Sequence, residues 1–155
     1  EICGLLFDGA WLWEEYVATL LEGKGFEHPQ NKKRRGGKCI FKNHKGIRYP
    51  DFYNDNIVLD AKYKKFKDYS DASGVGRDDI HQLVTYMYML KSKKSGFIFP
   101  YTNGSNNQSP LELNGYGGWM YMYGIEIGNN TNDYRIFCED MKKAENVFIG
   151  RINKE

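Results

Sequence analysis

The chain has 155 residues, a mass of 18.0 kDa, and 41% apolar and 27% charged residues. That size supports one hydrophobic core rather than two, and the balance is that of a soluble globular domain. No apolar run approaches the roughly 20 residues of a membrane span, and no signal peptide opens the sequence, so a membrane partner is not expected. A net charge of +2 neither requires nor excludes a nucleic-acid partner.

Three scattered cysteines (Cys3, Cys39, Cys138) with no CxxC pair argue against a disulfide framework or a zinc site and predict a cytoplasmic location. Because residue 1 is glutamate, the chain is expected to be a domain excised from a longer protein.

Trp11 to Glu22 repeats apolar residues at helical spacing, with Asp8 as the candidate N-cap. Glu14 falls at the edge of the apolar arc and Glu15 on its polar side. Three strand-like runs follow: Cys39 to Lys42, Ile47 to Tyr53 and Ile57 to Tyr63. Turn residues separate them, which predicts an antiparallel meander. Residues 66–76 read as a polar loop. A second helix is predicted from Asp78 to Lys93, ended by Gly96. Phe97-Ile98-Phe99, bounded by Pro100, then reads as a buried strand parallel to an earlier one.

After a polar loop at 103–109, strands are predicted at Trp119 to Ile127, Tyr134 to Cys138 and Val147 to Ile152, with one helical turn at Asp140 to Glu145. The tyrosines of 116–123 are read as alternation on a sheet with one buried face, in preference to a base-stacking platform.

The informative group lies in the meander. Pro50-Asp51 ends one strand, and Asp60-Ala61-Lys62 ends the next. Alternation puts Asp60 and Lys62 on one face, and the turn between the strands brings Asp51 near Asp60. Two carboxylates so close repel unless a cation lies between them. Such hard oxygen ligands select Mg²⁺ or, in its place, Mn²⁺, leaving positions for water and a phosphate. Lys62 would touch the attacking water or a phosphate oxygen. This is chemistry suited to phosphodiester hydrolysis. Lys32, Lys33, Arg34, Arg35 and Lys38 form one basic cluster, and Lys62, Lys64, Lys65 and Lys67 a second; each reads as a solvated loop or as phosphate contacts. His28, His44 and His81 lack metal-ligand spacing and read as surface histidines, though His81 lies next to Gln82.

On these residues the sequence resembles the PD-(D/E)xK nuclease superfamily, with its motif at Asp51, Asp60 and Lys62. The resemblance implies an α/β, restriction-endonuclease-like αβββαβ core with a mixed central sheet flanked by helices and extra C-terminal strands. It covers about residues 5–101, leaving 102–155 as a β-rich extension of a single domain spanning 1–155. It also implies that Glu14, within Trp13-Glu14-Glu15-Tyr16-Val17, supports the metal directly or through water, and that the Ala61 carbonyl adds a ligand. Gln82 and Tyr86 form a QxxxY signature like that of the RecB-like branch and would orient the substrate.

Within the superfamily the text of Leu12 to Val17, Arg48 to Phe52, Ile57 to Tyr63 and Arg77 to Leu83 is most similar to the McrC nuclease subunits of McrBC-type restriction systems. The function implied is a metal-dependent DNA endonuclease of restriction and defence, leaving 5′-phosphate and 3′-hydroxyl ends. The alternatives are a RecB-like exonuclease, a repair nuclease of the same fold, or a DNA-binding scaffold without catalysis. The implied partners are DNA, a GTP-hydrolysing AAA+ McrB-like motor subunit, and a second nuclease domain for double-strand cleavage. The sequence itself holds no Walker A motif.

Overall fold

Asp8 starts the first helix by accepting a hydrogen bond on its side chain from the Trp11 amide at 3.1 Å. The structure, a computed structural model, describes residues 8–64, 75–102, 109–129 and 132–154. Helix α1 (Gly9–Leu21) buries Trp13, Val17 and Leu21, one residue per turn. Trp11 and Leu12 stay exposed, so the apolar stripe is narrower than the sequence pattern predicts. They occupy the first turn, where the Lys32 ammonium lies 4.6 Å from the Trp11 ring.

The predicted meander is divided. β1 (Lys38–Cys39) and β2 (Ile47–Arg48) pair antiparallel as a separate two-stranded ribbon. β3 (Phe52–Tyr53) pairs antiparallel with β4 (Ile57–Ala61) at the edge of the main sheet. The run from Ile47 to Tyr53 is therefore two strands, broken at Tyr49-Pro50-Asp51. Pro50 causes the break, because its fixed φ and missing N–H do not suit a continuing ladder.

Helix α2 (Arg77–Leu90) carries the chain from β4 to β5 (Lys94–Tyr101), which is parallel to β4. β6 (Leu111–Glu112), which the sequence reading did not anticipate, pairs antiparallel with β7 (Trp119–Glu126). The order is β3-β4-β5-β7-β6, with β4, β5 and β7 mutually parallel.

Two predicted boundaries move. α2 ends at Lys91 in a left-handed conformation (φ 56°), and its amide reaches back to the Met87 and Tyr88 carbonyls. Gly96 lies inside β5 instead, where an added Cβ would stand 2.6 Å from the Tyr123 ring. β5 also runs through Pro100, one residue from the strand end, where a missing N–H costs little of the ladder.

Both faces of the sheet are covered. Leu83, Tyr86 and Met87 of α2 pack on Val58, Phe97, Phe99, Met120 and Met122. Trp13 and Val17 of α1, with Phe148 and Ile152 from the C-terminal helix, cover Leu59, Ile98, Tyr123 and Ile125. β7 thus feeds two cores, and the expectation of one buried face is corrected. Doubly covered parallel strands read as nearly continuous apolar runs, as β5 does.

The C-terminal expectation is also corrected. Residues predicted as two strands and one helical turn form a single helix, α3 (Tyr134–Ile152). Phe137, Met141, Ala144, Phe148 and Ile152 recur every three or four positions, the spacing of one helix face. Among its described residues the 102–155 region thus holds the extra strands β6 and β7 followed by a 19-residue helix in place of further strands. Asp133 caps α3, accepting from the Arg135 and Ile136 amides at 2.9 and 3.3 Å. Asp133→Ala is expected to cost about 1 kcal/mol, measured by urea unfolding followed by circular dichroism; Asp133→Asn should retain most of it.

The predicted loop at 66–76 falls on residues outside those described except at its C-terminal end, and the 103–109 loop falls outside except for Ser109. Lys65, Lys67 and Cys3 also lie outside. Cys39 and Cys138 are free thiols. Among the described residues no helix is long and apolar enough to cross a membrane.

Candidate active site

The C-terminal end of β4 delivers the central carboxylate. Asp60 is 1% exposed and shares its face with Val58, toward α2. Continuing the β3–β4 register, in which Phe52 faces Leu59, sets Asp51 opposite Asp60 and Pro50 opposite Ala61. The Asn54 amide bonds the Ile57 carbonyl, so Pro50 and Ala61 would fall at a hydrogen-bonded position of that ladder. Pro50 has no N–H to give the Ala61 carbonyl. The Ala61 amide is taken instead by Asp51 Oδ2, at 2.7 Å. The Pro-Asp dipeptide thus ends the ladder and fixes one carboxylate against the other strand. It also leaves the Ala61 carbonyl without a main-chain donor at that position.

Lys62 ties this end of β4 to α2. Its Nζ lies 2.8 Å from Asp60 Oδ2, 3.2 Å from Asp79 Oδ1 and 3.3 Å from Gln82 Oε1. Gln82 Nε2 donates to the Tyr86 hydroxyl at 2.7 Å, which in turn donates to the Tyr49 carbonyl at 3.4 Å. The network therefore returns to the segment that carries Asp51. Gln82 is exposed on the cleft wall, whereas Tyr86 is 3% exposed. Tyr86 holds Gln82 and the Tyr49 main chain from within.

Burial and neighbouring charges shift the ionisation of the carboxyl groups at this end of β4. Burial, then the neighbouring Asp60 and Glu14 charges, hold the Asp51 carboxyl well above its usual range. Burial also raises Asp60, against the opposing pull of Lys62. Burial alone would lower the Lys62 ammonium; Asp60 and Asp79 more than offset this, and its pKa lies above the usual value. Asp60 Oδ1 has no hydrogen-bond partner among the described residues. A buried orphan oxygen and a second carboxylate across the ladder, beside the Ala61 carbonyl that Pro50 cannot reach with an N–H, form a hard oxygen donor set, which fits a divalent cation such as Mg²⁺.

Asp51, Asp60, Ala61, Lys62, Glu14 and Gln82 all line one cleft of about 440 Å³. Glu14 is partly buried on α1, with His28 Nε2 4.0 Å from its Oε1. Burial raises its carboxyl, His28 opposing. No group of three or more His, Cys, Asp or Glu side chains in a metal-holding arrangement occurs among the described residues. The side-chain part of the donor set is thus the aspartate pair, with Glu14 at the cleft rim.

The basic residues separate. Lys32 and Lys33 line the cleft, Lys32 also pairing with Asp8 at 3.3 Å. Arg34 and Arg35 are exposed on the same turn but off the cleft wall. Lys64 pairs with Asp79 at 2.7 Å.

Two participants escaped the sequence reading. His28 is not a surface histidine: it stacks on Phe52 at 4.6 Å between centroids, and its Nδ1 lies 2.7 Å from the Asp51 carbonyl. A carbonyl only accepts, so Nδ1 carries a proton toward Asp51, and Nε2 faces Glu14. No spacing rule signals it, because the Glu27–Tyr53 bridge that places it is long-range. Asp79 is the other. It lies three residues from Gln82, on the same helix face, which is a signal available in the sequence.

Fold and site together define a mixed α/β domain, a five-stranded sheet flanked by helices with an acidic cleft at the end of β4. Residues 1–100 match the family described as McrBC 5-methylcytosine restriction system component, and the chain belongs to that family. A chain of the solved half-complex from a tetradecameric assembly of Thermococcus gammatolerans McrB AAA+ hexamers with bound McrC superposes with a TM-score of 0.53 at 17% identity. The match covers 93% of this chain and 34% of that one, so this chain spans about a third of its length. At that identity the likeness speaks for the fold. None of the curated proteins matches the sequence.

Proposed function

We propose that the chain is a DNA endonuclease domain of the McrC kind, in which Asp51, Asp60 and the Ala61 carbonyl hold Mg²⁺ or Mn²⁺. The observation that carries this reading is the buried, unpartnered Oδ1 of Asp60 beside Asp51 and Lys62 in one cleft. When bound, such a cation stabilises charge developing on a phosphoryl group and lowers the pKa of a coordinated water.

The chain's own residues do the rest. Lys62, held by Asp60 and Asp79, stays an ammonium, so it donates hydrogen bonds to the attacking water or a phosphate oxygen and does not abstract a proton. Gln82 limits the positions Lys62 can occupy, and Tyr86 limits those of Gln82. Glu14 reaches the site through water, while His28 anchors the Asp51 main chain. Lys32 and Lys33 take up the phosphate backbone at the cleft mouth. The products are 5′-phosphate and 3′-hydroxyl ends.

The Gln82–Tyr86 pair also supports a second reading, a RecB-like exonuclease. Covalently closed circular DNA separates the two. With Mg²⁺ or Mn²⁺, nicking or linearisation on a gel is expected; digestion confined to a linearised control would establish the exonuclease instead. The assay is run with and without a McrB-like AAA+ motor and GTP, since a motor partner and a second nuclease domain belong to the reading. No cleavage in either arm, with duplex binding intact, would establish a non-catalytic scaffold.

A further inference from the structure

From His28 to Pro50, the segment between α1 and Asp51, the sequence carries eight lysines and arginines and no aspartate or glutamate. The remaining residues hold fourteen basic and twenty acidic side chains, so the small net charge conceals a strongly polarised molecule. Of the eight cations, only Lys32 is ion-paired with an acid among the described residues.

Half of this charge (Lys38, Lys42, Lys45 and Arg48) lies on the β1–β2 ribbon, which belongs to no larger sheet. The ribbon's turn is tight. Phe41 donates its amide to the Lys45 carbonyl at 3.2 Å, and Ile40 donates to Gly46 at 3.1 Å. His44 and Gly46 take left-handed conformations with φ 60° and 69°. Lys42 and Lys45 are exposed at this turn, and Phe41 and Ile47 beside them are 60% and 51% exposed. An isolated two-stranded ribbon is marginal in water, and apolar side chains left in solvent on it contribute little to folding.

Its root, by contrast, is fastened. Gly37 lies against the Ile47 and Tyr49 side chains, the Lys38 ammonium lies 5.3 Å from the Tyr53 ring, and the Tyr49 carbonyl receives the Tyr86 hydroxyl. The ribbon is therefore a cationic arm outside the main sheet, its root tied through Tyr49 and Tyr86 to Gln82 on the cleft wall. Its turn at His44 is seven residues from Asp51. Seven residues span at most about 25 Å, less than the roughly 34 Å of one turn of duplex DNA. The major groove is about 12 Å wide and admits a two-stranded ribbon.

We propose that the β1–β2 ribbon is a wing that grips duplex DNA beside the cleft, with Lys42, Lys45 and Arg48 on phosphates and Phe41 entering the groove. The inference rests on the reading that the cleft acts on DNA. Its test is duplex binding by fluorescence anisotropy in EDTA, across salt concentrations, with the full chain.

The K42Q/K45Q/R48Q variant should lose about tenfold or more in affinity at low salt, and its slope of log K against log salt should shrink by about 2.7, or 0.9 per lost phosphate contact. Phe41→Ala should weaken binding with the slope unchanged. The K142Q/K143Q/K154Q variant, an equal loss of charge on α3 and the tail, should bind as wild type does. An unchanged slope in the ribbon variant, or equal losses in both triple variants, overturns the wing and leaves the nuclease reading intact. No duplex binding by the wild-type chain at any salt overturns both.

Discussion

Asp60→Asn is expected to lower DNA cleavage by about a thousandfold or more, because it neutralises the carboxylate that completes the proposed cation site. Lys62→Gln is expected to lower cleavage by about a hundredfold to a thousandfold, the scale of losing one positioned donor to a developing oxyanion. The two losses have different physical origins and can be separated. Mn²⁺ is expected to raise the melting temperature of the wild-type chain, and Asp60→Asn should lose that rise, since its donor set is broken. Lys62→Gln should keep that rise, since Lys62 donates and does not ligate.

The fold should survive both changes. Asp60→Asn keeps a side-chain oxygen toward the Lys62 ammonium, and Lys62→Gln keeps an amide donor toward Asp60, whose Oδ2 lies 2.8 Å from Lys62 Nζ in the wild type. Circular dichroism melting with and without Mn²⁺, beside plasmid cleavage, checks all four expectations. Cleavage at the wild-type rate in either variant would remove that residue from the chemistry. Loss of cooperative melting in both would make the group a structural element of the sheet.

How far the sequence reveals this arrangement depends on the range of each interaction. The Asp51–Asp60 pairing is legible because a short turn and strand alternation carry it, and the same alternation sends Ala61 to the opposite core. Helices α1 and α2 are legible from their apolar periodicity, and the β4-α2-β5 crossover from the order of elements.

What fails is context. Tyr134 to Cys138 and Val147 to Ile152, taken as separate windows, have strand-like composition; only the spacing from Phe137 through Ile152 shows one helix. Tyr49-Pro50-Asp51 looks like the end of a strand, yet the preceding half belongs to a different sheet, since a proline N–H is missing where the ladder would need it. His28 reaches the site only because Glu27 bridges Tyr53, a contact across 26 residues that no local pattern encodes. The basic segment shows the converse. Its charge is plain in the sequence, but the division into a cleft-lining turn and a separate ribbon requires the fold.

Asp51→Asn is expected to stabilise the metal-free chain at neutral pH while abolishing cleavage. Burial, then Asp60 and Glu14, raise the folded-state pKa of Asp51 well above the unfolded value, and the Ala61 amide opposes this only in part. A raised carboxyl binds more protons in the native state than in the unfolded one. Its contribution to stability therefore falls as pH rises from the unfolded pKa, near 3.9, through the folded pKa, and stays low above it. An asparagine has no such charge to bury, and its side-chain oxygen still accepts the Ala61 N–H that Asp51 takes at 2.7 Å.

In EDTA at pH 7.5 the variant should melt about 2–6 °C above wild type, the effect of relieving a functional site in a domain this size. The gap should close as pH falls toward the unfolded pKa, where Asp51 is protonated in both states. Mn²⁺ should reverse the order at pH 7.5, because the cation neutralises the strain only where both carboxylates remain. A variant that melts below wild type in EDTA at pH 7.5, by an amount that does not change with pH, would mean that the Asp51 side chain serves the β3–β4 junction as a neutral hydrogen-bond acceptor. The repulsion on which cation binding depends would then be absent.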